Sequence, residues 1–577
     1  MRLLAAAFCN MSWLKRRVSE PVEPGGRSEA VEPPPSPARK NTKTCSSSPA
    51  FDPQHIRNGK ILEVFLDDLV RQLIQAGKTP SNPKNNETRV HTVAEVCAGS
   101  CVSHCASAEL NRSFRRWGIP HRFKTLYICE LSDMKRNFGT DVIELDQVEG
   151  EETEDFCTFK DLCHLHKLVC ECSRHKGKSR KKSRASAATG AGLEGCPVPA
   201  TEGIIGGISC KDLSKGNQNK GKMGNPLDPA GPPKTGGSSW STFYGLLWLI
   251  DAHGQDCPDW IAIENVDELV TSRDEEIIDV VLSELSARGY ECIYFFVNSV
   301  DWAIPQERKR VFIIGLQVVY AKHIRFSKVS IDMVFRHIKD TFASARRRSP
   351  CLTSVLLDDD DLRVTAARAE WMEHEPKGWD SPTLKAHLRY WEDKGMRLGE
   401  FEVDPNTKKS VWYKHCNARD KDALAGHQHQ RKDEAACYFA GDISQSVGRV
   451  PHSSLHSIGA VVTQTILPGS VIYLSEYCDP DMGAISFERL MLGSEALALG
   501  AMPIFHPRFQ PLFEKYGERQ MMTLGGNMFA GTIIGGLLAS VIFELPWNPD
   551  LHDDQREEIE EPEAMAAMDL LASLIAR

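Results

Sequence analysis

The sequence predicts an α/β fold with a parallel sheet, on three observations. From Val90 onward, short β-branched runs alternate with stretches of helical period. Several apolar runs then end abruptly in polar or reactive residues: GII at 203–205 opens onto Gly206, Gly207 and Cys210, and WIAI at 260–263 onto Glu264 and Asn265. Finally, IYFFV at 293–297 leads to Asn298 and to PQERKR at 305–310, before RVFIIGL forms another strand. Ligands of open α/β sheets sit beyond the carboxyl ends of the strands, so a thiol, a carboxylate and two arginines are expected to share one crevice.

The remaining elements follow in chain order. Residues 1–55 are rich in Pro, Ser and charge and read as a disordered segment. In 56–88, Ile56, Leu62, Phe65, Leu66, Leu69, Val70 and Leu73 carry a helical period with one apolar face, predicting a helix and linker that dock on the next domain. Polar insertions interrupt the alternation at Glu149–Asp155 and at RHKGKSRKKSR, Arg174–Arg184; a Gly/Asn/Lys-rich stretch, Ser214–Ser239, suits a loop that closes over a site. Residues 317–480 are mixed, without a clear repeat, and HQHQ at 427–430 reads as a polar loop. Apolar helical character returns at Phe487–Leu499 and Phe529–Phe543. An acidic tail, 546–577, ends in a short amphipathic helix at Met565–Ile575.

Composition sets bounds on this scheme. A chain of 577 residues, 41% hydrophobic and 25% charged, has the length and balance of a soluble protein of two or more domains. No apolar run approaches the ~20 residues that span a bilayer, so no membrane helix is expected. A net charge of -9 excludes a surface coated in positive potential, so a nucleic acid must be met by local patches. RHKGKSRKKSR and Arg346-Arg347-Arg348 are such patches; each also reads as a solvated face, and the first as a nuclear import signal. The 18 cysteines have no recurrent spacing and MRLLAAAF has too short an apolar core for secretion, which predicts reduced thiols inside the cell. Three arginines, one lysine and no acid in the first seventeen residues keep an organellar presequence open.

The ordered set Gly206-Gly207-x-x-Cys210, Glu264-Asn265-Val266 and Gln306-x-Arg308-x-Arg310, followed by an apolar strand ending in Gly315, resembles the cytosine-C5 DNA methyltransferase family. TVAEVCAGS (92–100) looks like that family's first cofactor strand and glycine loop, and LYICELS (126–132) like its second strand ending in a ribose-binding acid. RLMLGSEALALGAMP (489–503) and LGGNMFAG (524–531) are similar to its R-x-x-x-x-x-E-x-x-x-L segment and closing G-N motif.

The resemblance implies a Rossmann-like doubly wound methyltransferase domain over 89–316, a smaller variable target-recognition domain over 317–484, and a segment, 485–545, that returns to the catalytic domain. It implies S-adenosyl-L-methionine as cofactor, held by Glu95, Cys97, Gly99, Glu130 and Asn527, and no metal. Catalysis would fall to Cys210, Glu264, Arg308 and Arg310, with Ser209, Asn265 and Gln306 at the substrate. The Cys210 thiolate would add to carbon 6 of cytosine, Glu264 would serve the N3 edge, and Arg310 would contact the exocyclic oxygen and help to activate the thiol. Gln306 and Arg308 would position backbone or the catalytic loop. The implied partner is DNA with its target base flipped out; RNA is less favoured, because 317–480 lacks the C-F-T segment of the family's tRNA-acting branch. A nuclear (or organellar) monomer completes the expectation.

Two departures bear on activity. Ser209 stands where the family has proline, and Cys101 stands at the second glycine of the cofactor loop, which puts cofactor binding and a non-catalytic, nucleic-acid-binding alternative in question. Cys97, Cys101, His104 and Cys105 read as buried thiols with a neighbouring imidazole rather than an iron–sulfur motif. The group from Cys157 to His175 is dense enough for zinc but lacks a zinc spacing.

Overall fold

The computed structural model describes residues 59–81, 87–146, 156–160, 198–209, 238–271, 276–324, 330–373, 405–430, 438–444, 454–455, 461–468, 470–479 and 484–547, with scattered positions at 326 and between 388 and 403. Cys210, the 174–184 basic run, the Cys163–His175 group, Glu149–Asp155 and both chain ends lie outside the described residues.

In chain order, α1 (Ile61–Gln75) precedes β1 (Arg89–Val96), α2 (Val102–Arg116), β2 (His121–Cys129), α3 (Asp133–Leu145) and β3 (Cys157–Phe159). Then come β4 (Gly203–Gly207), α4 (Ser238–His253), β5 (Trp260–Val266), α5 (Glu276–Ser286), β6 (Tyr290–Asn298) and β7 (Lys309–Gln317). The seven strands form one sheet in the order β3-β2-β1-β4-β5-β7-β6. The first five are mutually parallel, whereas β7 runs antiparallel between β5 and β6. The expected α/β fold is present with this one reversal, and its cause is local. The short connection from Asn298 to Lys309 permits an antiparallel return, whereas parallel pairing needs a long crossover. The chain builds outward from β1 through β2 to β3, then resumes at β4 on the other side of β1. That reversal opens a crevice at the carboxyl ends of β1 and β4.

On one sheet face, Leu246, Leu249 and Ile250 of α4 and Ile277, Val281 and Leu285 of α5 pack with strand residues such as Ile204, Ile261 and Ile313. The expected N-terminal helix docks as α1, burying Ile61, Leu62, Phe65, Leu66, Leu69, Val70 and Leu73. The chain continues through α6 (Ile331–Ser344), then β8 (Tyr438–Asp442), β9 (Ile472–Asp479) and β10 (Ala484–Leu490), and closes with α7 (Gly493–Leu499), α8 (Glu518–Asn527) and α9 (Gly531–Glu544). Every residue from Gly531 to Phe543 is buried, and α9 packs against α1, α2 and α6. No single helix among the described residues is long and apolar enough to cross a membrane.

Three segments differ from expectation. α6 lies within the stretch assigned to the recognition domain but packs on the catalytic sheet: the Phe342 ring sits 4.6 Å from Phe295 and 4.1 Å from Trp302. The apolar helix expected over 487–499 is a strand up to Leu490, because β10 finds an antiparallel partner in β9; helix begins only at Gly493. HQHQ ends a helix, Ala418–Gln430, rather than forming a loop, and His427 is fully buried. Packing overrides local polarity there: this helix contributes Ala423, Leu424 and Ala425 to a second core with Trp412, Ile443, Tyr473 and Leu490.

Candidate functional site

The crevice is built from strand ends. Gly207 on β4 is the register partner of Glu264 on β5. Across the β5–β7 ladder, Glu264 faces Phe312 and Val266 faces Arg310, so Glu264 and Arg310 are diagonal neighbours on one sheet face. Arg310 Nε stands 2.9 Å from Glu264 Oε1, with both side chains mostly buried. The oxygen lies off the N–H direction, so this is an ion pair rather than a directed hydrogen bond.

Gly207 is required by close approach. A Cβ there would stand 2.5 Å from Cε1 of Phe529 and 3.7 Å from Glu264 Oε2. The Phe529 ring therefore occupies space next to the carboxylate that any side chain at 207 would claim. The next residues are tied down by polar contacts. Asn265 Nδ2 donates to the Ile208 carbonyl at 3.3 Å, and Ser209 N donates to Thr242 Oγ1 at 3.0 Å. The backbone is thus held beside Glu264 up to the residue before Cys210.

The other arginine of the motif has a different destination. Arg308, expected among the catalytic residues, is buried and donates from its guanidinium to the carbonyls of Met528 (2.9 Å) and Gly526 (3.5 Å). It props the closing motif, which positions both Phe529 and Asn527. Gln306, expected at the substrate, is buried where a two-residue strand pairs in parallel with Thr463–Gln464. There residues 463–464 are stitched to the β6–β7 connection.

The second part of the crevice lies at the ends of β1 and β2. Glu95 is buried, and burial pushes its carboxyl up to about 8, so the neutral acid prevails at pH 7. Its Oε2 accepts from Cys101 Sγ at 3.5 Å, while Oε1 has no hydrogen-bond partner among the described residues. Glu130 anchors the loop: Oε2 accepts from Gly99 N and Oε1 from Ser132 N, each at 3.0 Å. Cys97, Gly99 and Cys101 all have positive φ, at 54°, 58° and 60°. A Cβ on Gly99 would stand 3.2 Å from the Asn527 carbonyl oxygen. Glu95, Gly99, Glu130 and the Asn527 backbone therefore lie together at the ends of β1 and β2.

Cys101 keeps the left-handed conformation that glycine adopts freely, a strain of about 1–2 kcal/mol. Its side chain turns away into the core. Cys101 is fully buried, with Cβ and Sγ beside Gly139 of α3, which has no side chain to exclude them. Burial holds the Cys101 and Cys105 thiols well above the usual range, so both are inert. Among the described residues no three His, Cys, Asp or Glu side chains converge as a metal site. The cradle fits S-adenosylmethionine, which carries ammonium, carboxylate and ribose groups. Glu95 Oε1 and Ser100 Oγ are buried without partners among the described residues.

Residue types and spacing brought most of these groups to attention, but not Phe529 or Thr242 as neighbours of the site. Each acts only through a long-range contact that leaves no local signature.

The sheet and its crevice form a Rossmann-like, doubly wound α/β fold, and residues 194–417 match the family model of the C-5 cytosine-specific DNA methylases. The chain is 31% identical over 114 residues to the type II methyltransferase M.NmeDI of Neisseria meningitidis serogroup C, covering 20% of this chain and 23% of that one. It is 29% identical over 251 residues to M.MthTI of Methanothermobacter thermautotrophicus, covering 41% and 70%. The chain thus spans about a quarter of the length of M.NmeDI and of M.HgiCII from Herpetosiphon aurantiacus. The solved S. pombe Dnmt2 methyltransferase aligns with 79% of this chain and 99% of its own at 14% identity and a TM-score of 0.36.

Proposed function

We propose that this chain transfers a methyl group from S-adenosylmethionine to carbon 5 of cytosine in DNA, through a covalent bond between Cys210 and carbon 6. The observation that carries the proposal is the Glu264–Arg310 pair set against Gly207, three residues ahead of the thiol and in the crevice that also holds the 95–101 cradle.

Cytosine carbon 5 is a poor nucleophile, and addition of the Cys210 sulfur to carbon 6 gives it enamine character. Glu264 would hold or protonate the N3 edge, through a proton shared between carboxyl and base, as negative charge develops there, and Arg310 would contact the exocyclic oxygen. Bound in the cradle, S-adenosylmethionine supplies the electrophilic methyl group. Glu95, the loop through Gly99, and Glu130 would hold it, with Asn527 closing behind. Loss of the carbon 5 proton and elimination of the Cys210 sulfur then release the product. A stacked base cannot reach this crevice, so the cytosine must be flipped out of the duplex.

The test is trapping. An oligonucleotide containing 5-fluorocytosine has no carbon 5 proton to lose, so incubation with the protein and S-adenosylmethionine should yield a denaturation-resistant adduct with DNA. Cys210→Ser should abolish it. An adduct with RNA alone would overturn the substrate, and cofactor binding without any adduct would overturn catalysis.

A further inference from the structure

After α6 the chain runs alongside the turn that joins β6 to β7. Arg347 N donates to the Asp301 carbonyl at 2.9 Å, Ala303 N donates to the Arg347 carbonyl at 3.1 Å, and the two segments bridge in parallel at Trp302 and Arg347. Side chains alternate along such extended backbone, so Arg347 points one way while Arg346 and Arg348 point the other. Arg347 faces α1: its Nε stands 2.9 Å from Asp68 Oδ2, and a second nitrogen donates to Gln72 Oε1 at 2.7 Å. Its charge is matched.

Arg346 and Arg348 are exposed, and neither guanidinium has a partner among the described residues. Two like charges two residues apart repel one another, and a chain with 78 acidic residues against 69 basic ones has carboxylates to spare. Neither arginine has been matched. The turn they run beside is the one that delivers Arg308 and Arg310, and it leaves the carboxyl end of β6, the sheet end that presents Glu264.

We infer that Arg346 and Arg348 grip the phosphate backbone of the duplex whose base enters the crevice. The inference rests on the DNA substrate proposed above. Guanidinium forks match phosphate oxygens, and a rigid backbone limits the ordering cost of the contact. Phosphate contacts set position without reading sequence, so their loss weakens binding evenly across sequences and shows in KM more than in kcat.

The test measures binding of the full chain to a plain duplex oligonucleotide between 50 and 200 mM salt, roughly the range over which such contacts are lost. R346Q/R348Q should make the slope of log affinity against log salt shallower by about 1–2 and weaken low-salt binding roughly tenfold or more. Arg347→Gln serves as the structural control: it should lower Tm through loss of the Asp68 pair and leave the slope unchanged. A wild-type slope and affinity for R346Q/R348Q, in a protein that still traps 5-fluorocytosine DNA, would overturn the inference alone. Wild-type protein that neither binds nor traps DNA would overturn the proposed substrate, and the phosphate grip with it.

Discussion

Glu495→Ala should be among the most destabilising single substitutions in the chain. Arg489 and Glu495 are both fully buried. The Glu495 carboxylate accepts from the two terminal Arg489 nitrogens at 2.7 and 2.5 Å, and from Leu492 N and Leu357 N at 2.8 Å each. Truncation leaves the interior guanidinium with only the more distant, half-exposed Asp359 carboxylate at 3.8 Å, and two backbone N–H groups without an acceptor. Removing one partner of a buried pair costs about 3–5 kcal/mol, and each orphaned donor about 1–3, with overlap between them. A loss of about 5 kcal/mol is expected, a large share of the 5–15 kcal/mol typical of folded domains. In urea unfolding followed by tryptophan fluorescence, that loss moves the midpoint down by about 1–2 M at unchanged slope. Replacing both charges, R489M/E495L, should recover much of the loss, since no unpaired ion remains. A cost below about 1 kcal/mol, or a double variant no better than the single one, would refute the reasoning. The pair also ties Leu357 to the end of β10.

Other consequences follow from the crevice. Gly207→Ala forces a methyl group against the Phe529 ring and should cost about 1–3 kcal/mol in thermal melts together with adduct yield; Phe529→Leu in the same chain should restore part of both, and no rescue would show that the contact is unimportant. Arg308→Gln removes the charged donors to the Gly526 and Met528 carbonyls, worth about 1.5–3 kcal/mol each. Calorimetric titration should then show S-adenosylmethionine binding weakened roughly tenfold or more, and unchanged affinity would argue against a strut role. Glu95 sets a pH dependence: the native state holds its proton to about 8, whereas the unfolded chain releases it near 4.5, so its contribution to stability declines as pH rises between those values. His104 and His121, held near 3 by burial, act in the opposite sense as pH falls below 6.5, and comparison with Glu95→Gln cancels them. The Tm of the wild type relative to Glu95→Gln should fall from pH 5 to pH 8; a flat difference contradicts the assignment.

The local sequence was enough for β4, β5, β6 and β7 of the central sheet and for the first helix. β1, β4, β5 and β7 are short β-branched runs because the sheet buries them, and burial writes itself into hydrophobic period. The apolar face of α1 has the same origin. Glu264 and Arg310 stood out at the ends of apolar runs, whereas Glu95, Gly99 and Glu130 were named only through the family resemblance of their motifs. Tertiary structure alone decided where long side chains go and what fills the space between elements. Arg308 was expected to position backbone, but only the fold shows which: it props the 526–528 carbonyls while Arg310 pairs with Glu264. His427 looks solvated until a second core closes over its helix, and residues 487–490 look helical until β9 offers a ladder. Phe529 reveals itself as a wall of the site only when its ring meets Gly207. Local period reports that a face is buried; the partner that buries it is chosen by packing across the whole fold, where each contact depends on residues far away in the chain.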